Sequence, residues 1–233
     1  MTTEAVGNVL RAEDGTALVL RHKDNRTPVR KVTGGTDKYE RVAGDSDTHT
    51  YPVLILLPPS EKKASVAGPA ISVYNGVLYS ALGWATLSKS AQSRGESSIA
   101  IISAKYGVLK PLDEIAPYKE KINTSAMRES VSTTLAAISS ELIIDCRSST
   151  YKGVWTPPHD KNVEIKVFTK VDGAKKVITH MSKKTRGEIT RLLLLDTKIP
   201  INPHELQATV SQQFECKLFD STINTPWVLE VIC

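Results

Sequence analysis

Tyr51-Pro-Val-Leu-Ile-Leu-Leu-Pro-Pro-Ser60 is the stretch on which the fold turns. Val53–Leu57 are apolar at every position, which reads as a buried strand. Pro58-Pro59 end it, because proline has no donor for a ladder. The residues that follow, Ser60-Glu-Lys-Lys63, then stand at the carboxyl end of a strand, where open α/β sheets place ligands. A hydroxyl and two amines there meet a phosphate or carboxylate, or simply form a polar turn.

Downstream, the pattern alternates. Val73/Tyr74, Val77/Leu78 and Ala81/Leu82 recur on one face and predict a helix over 73–82. Ile99–Ile102 predict a second buried strand, followed by a proline-punctuated loop over 103–118. Met127, Val131, Leu135 and Ile138 make a helical stripe over 125–139, with Thr124 or Ser125 as cap. Leu142–Ile144 predict a third strand, and Val163–Phe168 with Lys176–Thr179 a strand pair around Asp172-Gly173. A helix is expected from about Ser182 to Leu195, and another over 203–213 behind Asn202-Pro-His-Glu205. Phe214–Phe219 and Trp227–Ile232 close as strands. Strands and helices intermix throughout, so the expected class is mixed α/β or α+β, a central mixed sheet with helices packed on it.

Residues 1–50 differ. Val9-Leu10 and Ala17–Leu20 predict a small hairpin with Asp14-Gly15 in its turn, and the remainder reads as linker. The domain division expected is therefore 1–50 and 51–233. The chain has 233 residues, 40% hydrophobic and 24% charged, a composition neither disordered nor membrane-spanning. No run approaches the ~20 apolar residues of a spanning helix. No signal-peptide core opens the chain, because Glu4, Arg11, Glu13 and Asp14 interrupt it. Cys146, Cys216 and Cys233 are scattered and form no C-x-x-C, so no disulfide framework or zinc site is expected. The five histidines lack metal spacing, and phosphate-cradling and nucleophile-elbow motifs are absent. The reading is a cytoplasmic monomer with no metal and no cofactor.

Charge is uneven. Residues 1–50 hold eight basic and eight acidic side chains, so the net +5 lies in 51–233. That excess fits a polyanionic partner, a phosphorylated substrate, or a solvated basic face.

Several segments are candidate sites. Tyr74-Asn-Gly-Val-Leu-Tyr79 places two tyrosines around Gly76, a costly residue in a helix unless something approaches closely. Ser103-Ala-Lys-Tyr-Gly107, with Asp113 and Pro117-Tyr118, stiffens a loop carrying Lys105, Tyr106 and Tyr118. Asp145-Cys-Arg-Ser-Ser-Thr-Tyr151 adds Arg147 and Tyr151 at another strand end, with Cys146 an activated or, more simply, a buried thiol. Thr179-His-Met-Ser-Lys-Lys-Thr-Arg-Gly187 puts cations beside a helix start capped by Ser182, where an anion would offset their conflict with the helix dipole.

Taken in order, these segments resemble the YaaA family of peroxide-stress resistance proteins over about 51–232. The matching pieces are Pro58-Pro-Ser-Glu-x-Lys63, Tyr74-x-Gly-x-x-Tyr79, Ser103-Ala-x-Tyr-Gly107 through Pro111-x-Asp113 and Pro117-Tyr118. Asp145-x-Arg-Ser-x-x-Tyr151 and His180-Met-x-Lys183-x-x-Arg186-Gly187 complete the set. The resemblance implies a compact mixed α/β domain with a basic cleft, a role in limiting peroxide damage, and duplex DNA as a ligand. Longer members of the family carry a larger insert between the first strand and Tyr-x-Gly-x-x-Tyr, where a DNA-binding helix-hairpin-helix is placed. Here Pro58 to Val73 fill that gap.

Two functions of different class follow. One is a protective DNA-binding protein. The other is an enzyme acting on a nucleobase, nucleotide or related small anion. In the second, Lys63, Lys183 and Arg186 hold the anion, and Tyr106, Tyr118 or His180 supply acid–base chemistry. Ser60, Ser103 and Gly107 shape the pocket.

Overall fold

A computed structural model describes residues 5–6, 9–11, 17–19 and 50–233. The chain divides into two compact units, Met1–Ser46 and Asp47–Cys233. In the first, β1 (Ala5–Val6), β2 (Val9–Arg11) and β3 (Ala17–Val19) pair antiparallel in that order, with Leu10 opposite Leu18. The expected turn residues Asp14-Gly15 lie outside the described residues.

The second unit opens with β4 (Thr50–Leu57), β5 (Gly68–Pro69), α1 (Ala70–Val73) and α2 (Val77–Leu82). There follow α3 (Lys89–Ser98), β6 (Ile99–Ser103), β7 (Gly107–Leu109), β8 (Glu114–Ile115) and α4 (Thr124–Ala136). Next come β9 (Ser139–Asp145), α5 (Ser149–Lys152), β10 (Asn162–Val171), β11 (Ala174–Lys176) and α6 (Thr179–Leu195). The unit closes with α7 (Pro203–Val210), β12 (Glu215–Phe219) and β13 (Trp227–Ile232). The main sheet runs β12-β13-β10-β9-β4-β6-β7, with β11 paired to β10. Its five inner strands are parallel; β12, β7 and β11 join antiparallel.

Val53–Leu57 lie at the centre because both faces of β4 are covered. Val53, Ile55 and Leu57 pack with α1, α2, α3, α6 and α7. Leu54 and Leu56 pack with Val131 and Leu135 of α4. The chain leaves β4 for β6 on one side, then returns to β9 on the other. That reversal is a topological switch point, the position beside which open α/β sheets bind ligands.

Four local expectations need correction. The helix expected over 73–82 breaks at Tyr74–Gly76, because Tyr74 is extended (φ −74°, ψ 110°) and bridges Lys63. The partner of β10 is Ala174–Lys176, because Asp172 (φ 52°) and Gly173 (φ 78°) close a two-residue turn of the type that matches strand twist. The next helix then starts at Thr179, so Ser182 is not its cap: Ser182 is buried and donates to the Val167 carbonyl at 3.5 Å. Lys183, Lys184 and Arg186 thus sit beyond the first turn, and the dipole argument for an anion there lapses. Asn123, not Thr124 or Ser125, caps α4 by accepting from the Ala126 N–H at 3.1 Å. At α7 the expected capping by Asn202 is present: it accepts from Glu205 N–H (3.0 Å), while the Glu205 carboxylate reaches one residue further back, to Ile201 N–H (3.1 Å).

Candidate functional site

The carboxyl ends of β4, β6 and β9 carry the candidate site. The chain leaving β4 is held against the α1–α2 junction by backbone bonds. Ala64 N–H donates to the Val73 carbonyl at 2.8 Å and Asn75 N–H to the Lys62 carbonyl at 3.2 Å. Tyr79 donates its hydroxyl to the Pro58 carbonyl at 2.7 Å. Gly76 is required by close approach, since a Cβ there would fall on Ser60 Oγ. Two motifs far apart in the chain are thus one wall.

Ser103, at the end of β6, fixes the polarity of a buried hydroxyl network. Its Oγ accepts from the N–H groups of Lys105 (3.2 Å) and Tyr106 (3.0 Å), which occupies both lone pairs. Its own hydrogen therefore goes to Tyr118 Oη at 2.9 Å. Tyr118 Oη also accepts from Ala104 N–H at 3.2 Å, so its hydrogen goes to Tyr74 Oη at 2.8 Å. With both lone pairs taken, Tyr118 is a positioning hub and has no capacity left to act as a base. The rings stack around it, with Tyr74 6.3 Å and Tyr106 5.6 Å from Tyr118, centroid to centroid.

Lys63 lies on this cluster, its Nζ 4.0 Å from the centroid of Tyr118 and 5.7 Å from that of Tyr74. Burial lowers its pKa, against the raising influence of Glu120 and Glu61. Glu120 itself is engaged by Lys105 at 3.0 Å. Lys105 is exposed, and that pairing raises its pKa. Tyr106 stands at the rim, its hydroxyl donating to the Ala116 carbonyl at 3.3 Å. Gly107 takes φ 75°, which lets the chain turn straight back into β7. Asp113 serves the loop: its carboxylate accepts from Lys110 N–H at 2.8 Å and its carbonyl from Ala70 N–H at 2.8 Å.

Arg147 is placed differently from expectation. It is only 1% exposed, and its guanidinium meets Asp145 through Nε (2.9 Å) and Nη2 (2.8 Å). Its remaining donors reach the carbonyls of Tyr151 (3.2 Å) and Trp155 (3.1 Å). It therefore anchors α5 rather than facing an anion. That anchor leaves Tyr151 half-buried, within electrostatic reach of Tyr118 and Glu61, and burial pushes its phenol up to about 12. The Cys146 thiol is fully buried and also pushed up to about 12, so it is the inert thiol of the two readings.

The last wall is α6. Gly187 is where α6 meets α2: a Cβ there would collide with the Leu78 carbonyl and lie 2.9 Å from Ala81 Cβ. One turn further on, Arg191 donates to the carbonyls of Leu82 (2.9 Å) and Gly83 (3.1 Å). Exposed Lys183 stands one turn before Gly187 on α6. Arg186 is half-buried; Nη2 donates to the Ile165 carbonyl at 3.1 Å, while Nε is buried without a partner. His180 is exposed and joins none of the contacts at the tyrosine cluster among the described residues. Three polar groups lie in the quoted segments without a role assigned from sequence: Asp145, Thr185 and Asn75. Thr185 Oγ1, on α6, and Asn75 Oδ1, between α1 and α2, are buried without partners. Asp145-x-Arg147 was the only one with a signal, an acid two residues before a base.

The tyrosines allow a direct check. Burial holds Tyr74 and Tyr79 well above the ordinary phenol value, and Tyr151 near 12. Their folded pKa values exceed the unfolded value of about 10, so their stabilising contribution is complete below about pH 10 and is lost as pH rises through the folded values. At about pH 11 Tyr74, Tyr79 and Tyr151 should add little phenolate absorbance in the native chain and most of their full share in the denatured one. Coincident native and denatured titration curves would refute the buried cluster.

Among the described residues, no group of three or more His, Cys, Asp or Glu side chains is placed to hold a metal ion. No described helix is long and apolar enough to cross a membrane. Comparison with known proteins gives a match of residues 57–218 to the family described as peroxide stress protein YaaA. A UPF0246 protein of Streptomyces coelicolor is 28% identical over 181 residues, 71% of this chain and 69% of that protein. One from Corynebacterium glutamicum is 33% identical over 60% of each chain. A third, from Corynebacterium efficiens, is 35% identical over 54% of each. The chain thus spans between about half and about two thirds of the length of the relatives it matches.

Proposed function

The chain belongs to the peroxide stress protein YaaA family, and from that premise we propose that it acts in resistance to peroxide by binding a nucleotide-like anion in the cleft beyond β4, β6 and β9. One observation carries this reading. Two half-buried cations, Lys63 and Arg186, border the cleft, and among the described residues neither meets a carboxylate within 4 Å. Half-burying a charge without a close opposite charge costs stability, so an anionic ligand is the natural complement. Half-buried Tyr151 and exposed Tyr106 supply aromatic surface, a feature suited to a base joined to a phosphate.

Duplex DNA is the second reading, favoured by exposed Lys62, Lys105, Lys110, Lys119, Lys121 and Lys183 around the rim. A salt titration separates the two. Nucleotides and nucleobases, tested beside a short duplex, should give saturable binding for one of them. Duplex binding that falls steeply with salt, with no effect of any nucleotide, would favour DNA instead. Arg186→Gln should weaken nucleotide binding about tenfold or more, the worth of a charge-assisted hydrogen bond. Unaltered binding in that variant, with an unchanged circular dichroism spectrum, would refute the anion assignment.

A further inference from the structure

We propose that Lys63 is a carbonyl-capturing amine, which forms an imine with an aldehyde carried next to a phosphate. The proposal rests on the reading of this cleft as a ligand site and adds a covalent step to it. Three lysines among the described residues are half-buried: Lys63, Lys152 and Lys161. Lys152 is paired with Glu164 at 2.8 Å, and Lys161 donates to the Ser140 carbonyl at 3.1 Å. Lys63 alone of the three rests on neutral rings, 4.0 Å from the Tyr118 centroid.

That difference decides its chemistry. A carboxylate partner keeps an amine protonated and unreactive, whereas a ring face stabilises the ammonium more weakly. Partial burial removes water and outweighs the opposing influence of Glu120 and Glu61, which enlarges the neutral, nucleophilic fraction. The stem is also held in place. Residues 62–64 pair with 73–75 through an isolated bridge and two backbone bonds. Gly76 lets Ser60 seat against the same junction. The amine is therefore presented at a fixed position at the end of a central strand, and Arg186 and Lys183 on α6 offer charge for the neighbouring phosphate.

In the step, the Lys63 Nζ lone pair adds to the carbonyl carbon and the C=O π pair moves to oxygen, which takes a proton from solvent. Nζ releases its own protons, and the hydroxyl departs as water. The product is a C=N bond, with no net oxidation or reduction. An aldehyde beside a phosphate is found both in free open-chain sugar phosphates and in DNA at a deoxyribose that has lost its base.

Trapping tests this on the intact wild-type chain. Glycolaldehyde phosphate, unphosphorylated glycolaldehyde and a short duplex with one abasic site are each incubated with the protein and sodium cyanoborohydride. Labelled positions are then mapped by peptide mass spectrometry. The expected result is that Lys63 is labelled by a phosphorylated probe at least tenfold faster than exposed Lys62 or Lys183, and faster than by glycolaldehyde. The free phosphate or the abasic duplex, whichever labels faster, identifies the source. Lys63→Arg should lose that fast phase and leave the slow surface labelling unchanged. Labelling of Lys63 no faster than of exposed lysines, with every probe, overturns the proposal. Nucleotide binding measured at equilibrium on the same sample is independent of that outcome, so failure of the amine chemistry and failure of the anion cleft are told apart.

Discussion

Asp145→Asn should lower stability by about 3–5 kcal/mol, the loss expected when one partner of a buried ion pair is removed. Both residues are 1% exposed, so no water replaces the lost carboxylate. Two bonds join the Arg147 guanidinium to Asp145, and a third joins the Arg147 N–H to Asp145 Oδ1 at 2.9 Å. An asparagine keeps one oxygen but turns its amide hydrogens toward the guanidinium. The uncompensated charge then remains buried, anchored only by the carbonyls of Tyr151 and Trp155. Urea unfolding reads the effect as a fall in midpoint at unchanged slope. Because Arg147 also fixes the backbone of Tyr151, the variant should weaken ligand binding before it unfolds. The double change Asp145→Leu with Arg147→Met should recover a large part of the stability, since matched apolar groups leave no stranded charge. A loss under about 1 kcal/mol for Asp145→Asn would show that the pair is hydrated.

Gly187→Ala is the second large effect, and here two terms oppose. Alanine is the better helix former by about 1 kcal/mol. Against that, its Cβ meets the Leu78 carbonyl and Ala81 Cβ, backbone and stem atoms that cannot rotate away. Overpacking of this kind costs about 1–3 kcal/mol and here sits at the upper end, so the net loss should be about 2 kcal/mol. The more telling consequence is positional. Forcing α6 away from α2 separates Lys183 and Arg186 from the tyrosine wall, so ligand affinity should fall by more than stability does. Stability equal to or above wild type would mean that the two helices slide freely.

The sequence was most readable where burial was two-sided. Val53–Leu57 and Ile99–Ile102 are apolar at consecutive positions because helices cover both faces, and the strands fell where that pattern put them. The α3 helix went unread for the opposite reason. Lys89-Ser-Ala-Gln-Ser-Arg-Gly-Glu-Ser-Ser98 buries only Ala91, Gly95 and Ser98, so no apolar stripe exists and only Ser88 as cap marks its start. At the site, Gly76 was legible as a place of close approach, though the approaching group, Ser60, was not. Arg147 misled because an arginine beside a strand end looks the same whether its partner is an anion or Asp145. Direction within the hydroxyl network was beyond reach of any pattern, since it follows from which N–H groups fill the lone pairs of Ser103.

The position of β4 between β6 and β9 also has a temporal consequence. Leu56 lies opposite both Ala100 and Asp145, and the wall carrying Arg186 comes later still. Lys63 and Arg186 are separated by 123 positions of chain. At about 5–20 residues per second, a ribosome needs about 6–25 s to travel that distance. Within that interval β6 and β9 emerge to flank β4, while Lys63 and the tyrosines still await α6. The proposed site is therefore completed late in synthesis, and a chain arrested before α6 emerges lacks Lys183 and Arg186.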